Sequence, residues 1–396
     1  MYMKKNWLWI LLAALTLLTL SAAQAETARD ITAQCTFSSK KAPFNSRLLY
    51  DGSYEYAWET RQAKKVQLEV HLPQGEVCSG VQIKWGKVNK DWVVEYQQGG
   101  QWIACPKDET GYLTTFTPLP DVTAFRIAAN QRHQNKLMIH ELNVLSAGDC
   151  PDWVQRWEPT FEKADLLVVV AHPDDEYVFL GGTIPYYGAE RGKRVLVAYI
   201  TESSAERRTE LLDGLWTVGQ RSYPLIGRFH DRYTTNMETA YKRLGKKKTQ
   251  QYMIELFRHY KPEVVVTQDI HGEYGHGVHK ICADVVRNAL DKSANPKVDP
   301  ASAEAYGLWD VPKAYLHLYP ENTVTMDWNT PLSHFGGKTA LEVAQEGFAC
   351  HLSQQHTKYT VYNEGPYDSK QFGLYRTLVG PDTGKNDFFE NIESNE

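Results

Sequence analysis

The strongest constraint in this chain is a run of five residues with no polar position, Leu166 Leu167 Val168 Val169 Val170, followed at once by Ala171 His172 Pro173 Asp174 Asp175 Glu176. A half-buried strand alternates apolar and polar residues, so a run that is apolar throughout belongs to a strand covered on both faces. The sequence around it repeats the theme. Leu166 to Ala171, Arg194 to Thr201 and Glu263 to Gln268 read as strands, and segments around Leu180 to Arg191, Arg207 to Gly219, Gln250 to Tyr260 and His279 to Leu290 read as helices between them. Residues 151–396 are therefore expected to form an α/β domain with a mainly parallel sheet.

Residues 26–150 have a different texture. Gln67 to Leu72, Gly80 to Gly86, Trp92 to Gln97, Ala124 to Ala128 and Lys136 to Leu145 are short alternating or apolar runs between turn residues, with no convincing helix among them. The expectation is an all-β, antiparallel sandwich or jelly roll. A chain of 396 residues exceeds what one core commonly organises, so two domains are expected, 26–150 and 151–396.

Ahead of both, residues 1–25 carry Lys4 and Lys5, an apolar run from Trp7 to Leu20, and Ala23 Gln24 Ala25 at the spacing of a cleavage site. The run is shorter than the roughly 18 to 20 residues of a membrane span. It reads as a removable export signal, giving a secreted, extracellular or periplasmic protein with no stable membrane insertion. Loss of Lys4 and Lys5, and of no acid, takes the net charge from −5 to −7, and a chain without a basic field is not built for nucleic acid. Six cysteines, an even number, suit an oxidising compartment. Pairing by domain gives Cys35–Cys150, Cys78–Cys105 and Cys282–Cys350, with free buried thiols the alternative, above all for Cys282 and Cys350.

Parallel sheets present their sites at the carboxyl ends of strands, and two clusters stand there. His172, Asp174 and Asp175 follow one strand; His271 Gly272 Glu273 Tyr274 Gly275 His276 Gly277 Val278 His279 follow another. Singly, each has an ordinary role, such as a helix cap for Asp174 or Asp175. Together they point to a metal. Catalytic zinc takes three N or O ligands and keeps a fourth place open, and His172, Asp175 and His279 supply two imidazoles and a carboxylate, a set that suits zinc or ferrous iron. Such a centre acidifies water and polarises a carbonyl. Asp174 is then the candidate general base, with His276 and Tyr274 as donors to an oxyanion or a leaving amine. A nucleotide-binding reading ranks last, because no Gly-rich loop follows the first strand and the acids there would repel phosphate.

The AHPDDE segment after an apolar strand, with GEYGHGVH further on, resembles the PIG-L or LmbE-like deacetylase family. The resemblance implies a Rossmann-like fold, a divalent metal, usually zinc, and hydrolysis of the acetamide of N-acetylglucosamine-containing substrates. It implies His172, Asp175 and His279 as ligands, Asp174 as base, and Tyr274 and His276 as transition-state partners. Arg207, Glu210 and Gly219 resemble a family segment whose Arg faces the substrate, and His351, Ser353 and Gln354 resemble a late HxSQ motif whose His borders the pocket. The alternatives are a surface ion pair of Arg207 with Glu206 or Glu210 and a structural role for His351. Gly277 and Val278 stand where many members carry Pro and Asp, which leaves Glu273 to compensate beside His276 or His276 to titrate differently.

In the first domain, Leu48 Leu49 Tyr50 Asp51 Gly52 Ser53 Tyr54, Trp58, Val81 to Gly86, Trp92 to Tyr96, Gly100 and Trp102 resemble the discoidin, or coagulation factor 5/8 C-type, family. That implies a galactose-binding-like sandwich closed by a Cys35–Cys150 disulfide, glycan-binding loops with aromatic faces, and a structural calcium. Core packing is the alternative for Trp58, Trp85 and Trp92. The whole reads as an exported zinc-dependent hydrolase that removes the acetyl group from N-acetylated sugars of an extracellular glycan or glycoconjugate, with the sandwich holding it near its polymer. The rival is a glycan-binding protein with a non-catalytic second domain, against which the complete ligand set and Asp174 argue.

Overall fold

The computed structural model describes residues 26–42, 45–87, 91–129 and 135–393, and the export signal expected in residues 1–25 lies outside them. The N-terminal region is β-rich. Strands β1 (Thr36–Ser38), β2 (Trp58–Glu59), β3 (Gln67–His71), β4 (Cys78–Trp85), β5 (Trp92–Gln98), β6 (Gln101–Ala104), β7 (Thr114–Val122), β8 (Ala124–Ala129) and β9 (Met138–Ser146) form two antiparallel sheets, in the orders β1-β3-β8-β5-β6 and β2-β9-β4-β7. Alternation makes the layers. Leu68 and Val70 of β3 and Trp92 and Val94 of β5 turn inward, their neighbours outward, and they meet Val81, Ile83 and Trp85 of β4 and Leu142 and Val144 of β9 in one core. Trp58, Trp85 and Trp92 all belong to that core.

The second region is an α/β domain. Strands β10 (Leu166–Val170), β11 (Val195–Thr201), β12 (Leu225–Phe229), β13 (Val264–Thr267), β14 (Lys313–His317), β15 (Thr323–Thr325) and β16 (Gln371–Thr377) form one sheet in the order β12-β11-β10-β13-β14-β16-β15. β10 to β14 run parallel, and β16 lies antiparallel to both β14 and β15. Every residue of β10 is buried, Leu166, Val168 and Val170 in one apolar layer and Leu167 and Val169 in the other. Helices α1 (Asp175–Val178) and α2 (Ala205–Thr217) contribute to the first layer, and α3 (Met237–Leu244), α4 (Lys246–Tyr260) and α5 (Gly277–Lys292) to the second. α6 (Pro300–Tyr306) packs on α4, and α7 (Ala340–Ala349) returns to the first layer. β11 flanks β10 on one side and β13 on the other. The crevice beyond the ends of β10 and β13 is thus a topological switch point, where open α/β sheets hold their ligands.

Two expectations are corrected. All six cysteines are free thiols, so Cys35–Cys150, Cys78–Cys105 and Cys282–Cys350 are not formed. Cys282 lies on α5 with its Sγ 3.4 Å from Thr267 Oγ1, whereas Cys350 follows α7 on the other face of the sheet, 3.4 Å from Thr217 Oγ1. Cys78 opens β4 in one layer of the sandwich and Cys105 follows β6 in the other. The helix expected over Leu180 to Arg191 is broken: a short turn at Thr183–Pro185 passes into a wide turn at Tyr186–Glu190.

Candidate metal centre

β10 ends at Val170 and the chain turns at once, so His172 to Asp175 stand at the edge of the sheet. Asp175 ties the turn, its Oδ2 accepting the His172 amide at 2.8 Å. Asp174 adopts φ 103°, ψ −30°, which residues other than glycine rarely take. Glu176 holds it there, accepting the Asp174 amide at 2.9 Å through Oε2 and the Tyr199 hydroxyl at 2.6 Å through Oε1. Backbone strain of this kind costs about 1–3 kcal/mol and persists only where the surroundings impose it.

The second loop leaves β13 at Thr267. Gly272 has φ 65°, and a Cβ there would fall 2.6 Å from the His276 carbonyl oxygen, so the turn requires glycine. His276 caps α5, its Nδ1 accepting the Val278 amide at 3.1 Å. His279, inside the first turn of α5, is fully buried and sets Nδ1 2.8 Å from Glu273 Oε2. Glu273 is shared, because its Oε1 lies 2.7 Å from Nδ1 of His317 at the end of β14. Burial alone would lift the Glu273 carboxyl, but hydrogen bonds from the two imidazoles hold it down to about 2.

Three ligand-type atoms converge between the loops. His172 Nδ1 lies 3.2 Å from His279 Nε2 and 3.3 Å from Asp175 Oδ2, and those last two are 3.4 Å apart. Donors held about 2.0–2.1 Å from one tetrahedral ion stand about 3.3–3.4 Å from each other, so the spacing fits a zinc-sized cation. The protons fit as well. His279 donates from Nδ1 to Glu273, and His172 from Nε2 to Asp231 Oδ2 at 3.0 Å, which leaves the other nitrogen of each ring facing the common centre. A carboxylate behind each imidazole is usual around a bound metal.

His276 also comes within 4.8 Å of His172 and His279. Its Nδ1 lone pair is already taken by the Val278 amide, so the neutral ring turns an Nε2–H donor to the site and Asp175 is the better third ligand. Burial disfavours charge on His172, yet hydrogen bonds to Asp175 and Asp231 overcome it and raise its pKa to about 9. Among the described residues no comparable ligand group lies in the β-rich region, so a calcium site there has no support.

Asp174 stands beside the ligands without joining them. Burial lifts its carboxyl and the Arg207 guanidinium opposes the rise, leaving it at about 7. Arg207 Nη2 donates to Asp174 Oδ2 at 2.8 Å and to the Pro173 carbonyl. Its partner is therefore Asp174 rather than Glu206 or Glu210. Glu210 instead accepts the amide and hydroxyl of Ser353 at 2.6 and 2.7 Å, tying the HxSQ segment to α2. His351 is fully buried against Tyr177 and Phe348, and burial depresses its pKa to about 3. Tyr274, at φ 44°, places its hydroxyl 3.4 Å from His279 Nε2.

Asp231 was missed by sequence reasoning. It follows β12, and besides holding His172 its Oδ2 lies 3.5 Å from His276 Nε2. It supplies the acid beside His276 that the Gly277–Val278 pair lacks, whereas Glu273, the expected replacement, is occupied by His279 and His317. The departure at position 277 has its own cause. The Gly277 amide donates to the Thr234 carbonyl at 2.7 Å, which proline cannot do, and a Cβ there would sit 2.7 Å from that same oxygen. A position just past a strand end was the one signal available for Asp231.

Fold and site together define a candidate metal centre at the switch point of an α/β sheet. Residues 167–290, which hold all three candidate ligands, match the family described as PIG-L: GlcNAc-PI de-N-acetylase, whose deacetylases act on N-acetyl amide bonds. The chain is 28% identical over 188 residues to a 1D-myo-inositol 2-acetamido-2-deoxy-alpha-D-glucopyranoside deacetylase of Catenulispora acidiphila, a match covering 40% of this chain and 57% of that relative. It thus spans little more than half of the relative's length. Among solved structures, it is similar to an N,N'-diacetylchitobiose deacetylase from Pyrococcus horikoshii, with 18% identity over 50% of this chain and 74% of that one and a TM-score of 0.38. It is also similar to a family 32 CBM from C. perfringens NanJ in complex with galactose, with 16% identity over 30% of this chain and 98% of that one and a TM-score of 0.25.

Proposed function

We propose that this protein is an exported, zinc-dependent deacetylase of N-acetylated, GlcNAc-type sugars in an extracellular glycan or glycoconjugate. The observation that carries the reading is the convergence of His172, Asp175 and His279 at 3.2–3.4 Å beside a separate, strained Asp174. The match to the deacetylase family supports it. The chemistry a bound ion would supply there is Lewis-acid polarisation of the amide carbonyl and a more acidic water.

The chain's own groups do the rest. Asp174 takes the proton of the attacking water as its oxygen bonds to the amide carbon, and Arg207 fixes the orientation of that carboxylate. The Tyr274 hydroxyl and the His276 Nε2–H donate to the developing oxyanion and to the departing nitrogen. The proton held by Asp174 ends on that nitrogen as the C–N bond breaks, giving a free amine and acetic acid, which ionises to acetate. The sandwich, of discoidin type in this reading, binds glycan and keeps the enzyme near its polymer.

The test is amine release from N-acetylglucosamine oligomers by the full mature chain, with chelator and with zinc or ferrous iron restored. Release that chelator abolishes and zinc restores supports the reading. Metal bound at one equivalent without release from any N-acetylated sugar overturns it, and restoration by ferrous iron alone corrects the ion.

A further inference from the structure

We propose that the β-sandwich is part of the framework of the reaction centre: Lys84 of β4 and Asp213 of α2, bridged by Tyr54, are positioning residues that set Arg207 against Asp174. The proposal rests on the deacetylase reading above.

α2 works on two faces. Arg207, Glu210 and Gly214 follow one another at helical spacing and face the α/β core. Arg207 holds Asp174, Glu210 holds Ser353, and Gly214 is so close to its neighbours that a Cβ would lie 2.8 Å from the Gly347 carbonyl oxygen and 3.0 Å from the Tyr177 hydroxyl. Thr209 and Asp213 lie further round the helix, on a flank that meets the sandwich. His140 of β9 sets Nδ1 2.8 Å from Thr209 Oγ1, and the Thr209 hydroxyl donates onward to Ala205 at 3.2 Å, so the imidazole is the donor in that pair.

Asp213 is the main clamp. Its two oxygens accept Lys84 Nζ at 2.8 and 2.9 Å, the Tyr54 hydroxyl at 2.5 Å and Gln155 Nε2 at 2.5 Å. Lys84 also reaches the Tyr54 hydroxyl at 2.7 Å. The seam continues where Tyr112 stacks on Tyr223 at 3.9 Å and the Leu113 amide donates to the Tyr223 hydroxyl at 3.0 Å.

An exposed ion pair between loosely tethered domains contributes little. This one is different, with the Lys84 and Asp213 side chains only 12% and 16% exposed and three side chains donating to one carboxylate. Removing Lys84 strands a shielded charge at the sandwich face of α2. The helix is pinched against Gly347 and Tyr177 on its other face, so movement at Asp213 is passed along the rigid helix to Arg207 rather than absorbed. A shift of about 1 Å at a reacting group can cost about a hundredfold in rate. The clamp should therefore register in turnover.

The experiment uses the metal-loaded full chain with Lys84→Met, Lys84→Arg, Tyr54→Phe, Arg207→Lys and the Lys84→Met/Arg207→Lys pair. Amine release, metal content and amide hydrogen exchange over residues 203–211 are measured. Lys84→Met is expected to lower kcat about tenfold with KM and metal content little changed, and Tyr54→Phe, too mild to unfold the chain, about two- to threefold. Lys84→Arg restores most of the loss, exchange over 203–211 quickens, and Lys84→Met adds nothing once Arg207 is Lys, because both changes act on the same contact. Unchanged kcat in Lys84→Met and Tyr54→Phe, or a loss that adds fully to that of Arg207→Lys, overturns the proposal. If the unaltered chain releases no amine, the deacetylase reading fails by itself. Exchange over 203–211 then decides alone: quickened in Lys84→Met for the clamp, unchanged against it.

Discussion

The two sides of the proposed centre, one holding the metal and the other handling the proton in that reading, are built to different rules. On the metal side every group is buried and held twice. Glu273 is fixed by His279, His317 and the Asp269 amide, and His172 by Asp231 and the other ligands. On the proton side the groups are strained, shifted or open. Asp174 sits at φ 103° with its pKa lifted by burial to about 7, and burial with the neighbouring imidazoles drives His276 down to about 3. Tyr233 is 66% exposed beside the His276 ring. Holding an ion requires donors that cannot move, while moving a proton requires groups near charge balance that a substrate can reach.

The comparison can be broken by substitutions that should affect one side only. His279→Ala is expected to have the largest effect, with loss of stoichiometric metal and of amine release to background, measured by elemental analysis beside the assay. Asp174→Ala is expected to keep the metal while turnover falls about 10²–10⁴-fold. Loss of metal with Asp174 would show that the two sides are one. Glu273→Gln should weaken metal affinity about 10–100-fold in a chelator competition, with turnover at saturating metal far less affected. An unchanged affinity would mean that the buried Glu273 pair with His279 and His317 does not hold the metal side together.

The metal side was legible because its residues come from two short segments, each directly after an apolar strand, with ligands three positions apart in the first. Asp231 was not legible, because β12 has a single fully buried residue and no apolar run to mark the strand that brings Asp231 to the same edge. The β-rich region divides in the same way. β3 and β5 alternate clearly and β4, β8 and β9 carry short apolar runs, whereas β7 carries Pro118 and Pro120 and survives as a strand because it lies at the edge of its sheet, where a missing amide is tolerated. The clamp of Lys84 on Asp213 joins solitary charges 129 positions apart, and no local pattern announces such a pair. Cysteine parity misled for the same reason: an even count constrains compartment, while pairing depends on which face of a sheet each thiol occupies.

The smallest expected effect tests whether the open half of the proton side is open for a purpose. Tyr233 lies on the loop that carries Asp231, its ring packed edge-on to His276 at 5.1 Å between centroids. A large ring left 66% exposed at the edge of a buried site gains little from packing, and its free face is the kind on which a sugar ring stacks. Tyr233→Ala should therefore raise KM for N-acetylglucosamine oligomers about three- to tenfold and leave kcat nearly unchanged, since aromatic contacts contribute about 0.5–1.5 kcal/mol. Steady-state kinetics on oligomers of increasing length separates the alternatives. A fall in kcat with KM constant would mean that the ring serves to orient His276 and belongs with the proton-handling groups. A KM effect that grows from the monosaccharide to the oligomer would make the open edge the place where the glycan chain enters.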